Sequence, residues 1–151
     1  MKNPRNILLL ILFIIFSRWL YTLFQGYWAT LYIPFTSSLP RTAFAGGAWL
    51  SAGAAFGSLI CALVLAWPLG YLTKESPLVF GAGLGLIGTA LHIYDFPALF
   101  IQFNWFSGTI SIVEHLSFIS GCVLFAKWGS NISKRRDGQP APRPAKGRSG
   151  L

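Results

Sequence analysis

Four residues carry most of the chemistry open to this chain. His92 and Asp95 stand three positions apart, Glu114 and His115 stand side by side, and both pairs lie in otherwise apolar stretches. The chain has only four acids in 151 residues, and Asp95 and Glu114 are two of them. An ionisable side chain at the centre of a bilayer costs about 2.5 to 3.5 kcal/mol, so such residues must have partners or a purpose. Carboxylates and imidazoles in series can pass protons or hold a small polar ligand. Imidazole and carboxylate suit Zn or Fe, and His92 with His115 could hold one haem iron between helices. The plainest role is mutual neutralisation, which fixes how helices meet.

Partners for these groups come from the first apolar stretch, where Arg18, Tyr21, Thr22 and Gln25 recur at i, i+3, i+4 and i+7 and form one polar stripe. With a rise of about 1.5 Å per residue, Arg18 lies about 16 Å and Glu114 about 18 Å from the same membrane edge, so an Arg18–Glu114 pair is geometrically possible. His92 and Asp95 share a helical face at about 21 and 26 Å. Asp95 precedes Pro97 near a helix C-terminus, where the macrodipole disfavours an anion. It needs a cation, either Arg18 from below or Arg41 from the opposite rim. The expected polar cluster is therefore Arg18, Tyr21, Gln25, Arg41, His92, Asp95, Glu114 and His115.

The elements that position these residues are membrane helices. The chain is 54% hydrophobic and 11% charged, against about 25% charged residues in an ordinary soluble domain. Its apolar residues gather in four blocks of the length that crosses about 30 Å of hydrocarbon: residues 7–24, 44–67, 78–96 and 106–126. Continuous runs such as ILLLILFIIF exclude the alternating strands of a barrel. The fold class expected is all-α, an integral membrane four-helix bundle, in one domain over residues 1–128. Lys2 and Arg5 precede the first block as in a signal peptide. No small-residue cleavage site follows, so a true span is expected. Cys61 and Cys122 fall inside spans, match no metal motif and read as small packing residues.

Charge orients the bundle. Lys2 and Arg5, Lys74 in the TKES turn, and the basic residues from Lys127 to Arg148 all fall at one end, which the positive-inside rule makes cytoplasmic along with both termini. A bacterial cell inner membrane is the expected location. The opposite loops carry Arg41 and many aromatics, Tyr27, Trp28, Tyr32 and Phe35 in the first and Phe100, Phe103 and Trp105 in the other, and are expected to lie on the bilayer surface. Residues 129–151, rich in proline and basic side chains, are expected to form a disordered cytoplasmic tail that can attract anionic lipid headgroups. No aromatics interleave with those charges, so no nucleic-acid partner is expected.

Small residues mark helix contacts, because lipid is as apolar as leucine and helices associate by close approach. Gly53 and Gly57, and likewise Gly81 and Gly85, form G-x-x-x-G pairs. Spans two and three are expected to make a tight antiparallel pair through them, although the motif also serves assembly with a second copy. No hydrolase, phosphate-loop, zinc-protease or C-x-x-C motif is present. The leading expectation is a protein that acts by binding, as an accessory subunit or partner, for example of toxin-immunity type. A proton-coupled or small-ligand transporter working as an oligomer is the second, and a haem- or metal-binding membrane enzyme the third. No motif calls for a cofactor beyond the haem that His92 and His115 leave open. Small four-span families such as the DoxX-like proteins are similar to the chain in size and topology; no motif carries the likeness further, and no family is assigned.

Overall fold

A computed structural model describes residues 3–39, 42–74, 76–95 and 105–138. Four helices, α1 (Pro4–Tyr32), α2 (Ala43–Thr73), α3 (Pro77–Asp95) and α4 (Trp105–Arg136), run alternately up and down, and all four are long and apolar enough to cross a membrane. No strand occurs among the described residues.

The helix ends follow local chemistry. Asn3 caps α1 by accepting from the Arg5 amide, ahead of Pro4, whose missing N–H is no loss in a first turn. At the other end Pro34 cannot donate to the helix, and the chain tightens into a 3₁₀ turn over Ile33–Ser38. Thr42 Oγ1 caps α2 by accepting from Ala45 N at 3.2 Å. Lys74 and Ser76 both take positive φ, 49° and 47°, which lets α2 turn back into α3 within a few residues.

Every helix except α3 is longer than its apolar block. α1 runs on to Tyr32, so Tyr27, Trp28 and Tyr32 are helical instead of lying in a surface loop, and Phe35 is in the 3₁₀ turn. α2 continues through Pro68 to Thr73. α4 passes the expected end at Ala126 and the start of the expected tail at Gly129, and stays helical to Arg136. The reason is packing: a small-residue face of α4 lies on α2 all the way down, so burial holds this segment helical despite its polar composition. Residues 139–151 of the expected tail, Arg41, and residues 96–104 with Pro97, Phe100 and Phe103 lie outside the described residues.

The core sits where α2, α3 and α4 meet, around Cys61, Leu65, Leu69, Phe80, Leu84, Phe118, Cys122 and Ala126, all buried. Both cysteines are free. Spans two and three do not form the expected tight pair; each packs mainly on α4, while α1 lies over α2 and α3. The glycines show why. A Cβ on Gly81 or Gly85 would stand 2.6 Å from Cys122 O or 2.9 Å from Ile119 Cα, both α4 backbone atoms. On Gly53 or Gly57 it would meet the Tyr32 or Trp28 ring of α1 at 2.5 Å. The closest approach uses glycines that no G-x-x-x-G reading selects: Gly70 of α2 against the Ala126 carbonyl and Gly129 of α4 against the Trp67 carbonyl.

Candidate functional site: a polar layer across four helices

Two hydrogen bonds set the register at the basic end. Asn6 Nδ2 donates to Thr73 O at 3.4 Å, and Ser130 Oγ donates to Lys74 O at 3.0 Å. From this level Tyr21, Ser58 and His115 each lie fifteen residues along α1, α2 and α4, and His92 lies fifteen residues beyond Pro77 on α3. All four therefore stand at one height, about 22 Å up the bundle.

Tyr21, buried at 4% exposure, is the hub of this layer. Its hydroxyl donates to Glu114 Oε1 at 2.9 Å and lies 3.1 Å from Ser58 Oγ. Its ring packs edge-on against His92 at 4.8 Å and against Phe118 at 4.7 Å between centroids. One turn above, Gln25 Nε2 donates to Ser58 Oγ at 2.7 Å; one turn beyond that, Trp28 Nε1 donates to Gly53 O at 2.7 Å. Of the stripe predicted on α1, Arg18, Tyr21 and Gln25 bond to neighbouring helices, whereas Thr22 Oγ1 donates to Arg18 O of its own helix at 2.9 Å.

Arg18 does not reach Glu114. Its Nε and Nη2 donate to Asp95 Oδ2 and Oδ1 at 2.6 and 2.7 Å, a bidentate ion pair. Height does not decide this: counted from the basic end, Glu114 lies at about 24 Å and Asp95 at about 27 Å, both above Arg18. α1 packs more on α3 than on α4, so Arg18 faces the seam where Asp95 ends α3. The Arg18 side chain remains 53% exposed and the Asp95 side chain 17%.

The histidine rings lie 5.5 Å apart. His115 Nδ1 is 2.6 Å from Ser111 O; a carbonyl only accepts, so Nδ1 carries the proton. Nε2 is buried and has no hydrogen-bond partner among the described residues. The Tyr21, His92 and His115 rings form one packed triangle, and a haem between the histidines would need them parted. No group of three or more His, Cys, Asp or Glu among the described residues is arranged to hold a metal ion.

Of the eight cluster residues expected from sequence, the structure joins Arg18 to Asp95 and Tyr21 to Glu114, and places His92 and His115 beside Tyr21. Gln25 is linked to Tyr21 through Ser58. Sequence reasoning missed Ser58: one serine among the small residues of an apolar span carries no signal of a hydrogen-bonding role. Comparison of the chain with protein-family models, with curated proteins and with solved structures finds no match.

Proposed function

We propose that this is a multi-pass protein of a bacterial inner membrane, both termini cytoplasmic, that acts by binding as an accessory subunit or partner and not by catalysis. One observation carries the reading: the polar groups of α1 are used to hold α1 to its own neighbours, through Tyr21 to Ser58 and Glu114 and through Arg18 to Asp95. Polar pairs between apolar helices specify packing. The orientation rests on the positive-inside rule, and the partners are the bilayer, anionic headgroups at the basic end, and a second copy or another membrane protein. The test is the size of the native assembly. Extracted in mild detergent, the protein is expected in a complex larger than its 16.6 kDa chain; a lone monomer from native membranes would overturn the reading.

One observation favours a second reading, proton or small-ligand passage. His115 Nε2, buried and without a hydrogen-bond partner among the described residues, lies in the same layer as Glu114 and His92. Flux through liposomes holding the pure protein, abolished by Glu114→Gln or His115→Asn with the fold intact, would put this reading first; no flux removes it.

A further inference from the structure

We infer that the basic end of the bundle holds a folded binding site for a phosphate group. A cavity of about 500 Å³ opens between the start of α1, the end of α2 and the end of α4. Three cations line it, Arg5, Lys74 and Arg136, each from a different helix, against the single carboxylate of Asp137. Lys74 is paired with Asp137, and Arg136 Nη1 donates to Tyr71 Oη at 3.1 Å. The Arg5 guanidinium has no partner among the described residues, and its helix begins here, so the positive end of the α1 dipole adds to its charge.

The arrangement suits a phosphate. Arginine offers a planar fork of donors that matches phosphate oxygens, and lysine adds a point charge. The walls are polar and rigid: Asn6, Thr73 and Ser133 are all buried, and Asn6 bonds across to Thr73. The site also sits at the height of a headgroup. Leu72, an exposed apolar residue, lines the cavity, and Ile7, another, directly follows its lining residue Asn6. This differs from attraction by the basic residues beyond Gly138, because these three side chains line one cavity built at helix ends.

The site rests on the membrane orientation only for the source of the phosphate, which is either an anionic lipid headgroup or a soluble phosphate. The test uses the full chain in neutral detergent, titrated with short-chain phosphatidylglycerol and, separately, with inorganic phosphate, with bound ligand counted by native mass spectrometry. One lipid bound per chain is expected. Arg5→Gln with Arg136→Gln should weaken binding roughly tenfold or more, the loss of at least one charge-assisted contact. Arg5→Gln alone, which removes no bond within the protein, should weaken it in the same direction and guards against misfolding of the double variant. A control with Arg143→Gln, Lys146→Gln and Arg148→Gln should bind as the unaltered chain does. Binding of inorganic phosphate with the same sensitivity to Arg5 supports the site with a soluble source. Loss of binding in the tail control, or equal binding by the Arg5 variant, overturns it. None of these readings depends on the size of the native assembly, so the site and the proposed function can fail separately.

Discussion

The seam between α2 and α4 and the seam that holds α1 are built on opposite physical plans. Along the first, glycines let backbone meet backbone: Gly70 rests on Ala126 and Gly129 on Trp67. Along the second, side chains do the joining, through the bonds of Arg18, Tyr21, Gln25 and Trp28, and the glycines there, Gly53 and Gly57, face rings. In its most apolar window α1 has 17% of its residues buried, against 33% in α2 and in α3. Close backbone approach tolerates no added atom, because neither side can move, whereas a side-chain seam can adjust. The difference divides the molecule into a rigid three-helix core and a helix clasped onto it by polar contacts.

The largest effect should come from the rigid seam. Gly70→Ala sets a Cβ within 2.6 Å of the Ala126 carbonyl carbon, and Gly129→Ala one within 2.9 Å of Tyr71 N. Overpacking against backbone should cost upwards of about 3 kcal/mol. Each variant should lose most of its folded yield in detergent, read by size exclusion. Gly83→Ala, whose Cβ meets Leu10 at an ordinary 3.5 Å, should stay within about 0.5 kcal/mol of the parent and calibrates the measurement. A folded Gly70→Ala protein would break the comparison outright.

The ion pair of α1 predicts an asymmetry. Arg18→Leu strands Asp95, which is 17% exposed, without its cation, and should cost about 2 to 3 kcal/mol. Asp95→Leu leaves an arginine that is 53% exposed and long enough to reach toward the membrane surface, so about 1 kcal/mol is expected. The double variant should recover most of the larger loss. Thermal unfolding of all three measures it, and equal losses without recovery would mean that the pair contributes nothing to the clasp. Tyr21→Phe comes next, at about 1 to 2 kcal/mol, because it removes two contacts and leaves the Glu114 carboxylate without its tyrosine donor. Tyr21→Phe combined with Glu114→Gln should lose less than the two single changes added together.

The four helices were legible because hydrophobic blocks of spanning length say what they are, and the α1 stripe because polar residues at helical spacing stand out on an apolar helix. What misled was counting depth from the ends of those blocks. Gly129, Ser130 and Ser133 look like the start of a solvated tail, yet they continue the series Gly121, Cys122, Ala126 at three- and four-residue steps, and this small-residue face keeps α4 helical against α2. Read that way, the series would have raised Glu114 by about four residues; that Arg18 turns to Asp95 instead follows from the packing of α1 on α3. The partner of a glycine face was not legible at all. Gly81 and Gly85 show that a backbone comes close, but which helix supplies it depends on how three helices are arranged around a fourth.

The smallest expected effect tests the flexible seam directly. Gly53→Ala brings a Cβ to 2.5 Å from the Tyr32 ring, nominally as close as any clash in the core. The obstacle here is a half-buried side chain near the end of α1, beside an apolar groove of about 500 Å³ lined by Trp28, Phe35, Trp49 and Phe56, into which the ring can swing. The Trp28 bond to the Gly53 carbonyl involves only backbone of residue 53 and can survive the change. Replacing glycine by alanine within a helix also gains up to about 1 kcal/mol, which offsets the cost of moving the ring. The net change in unfolding free energy should therefore stay within about 1 kcal/mol, measured in the same detergent as Gly70→Ala. If Gly53→Ala proves as damaging as Gly70→Ala, α1 is locked as rigidly as α4 and the division into core and clasp is wrong.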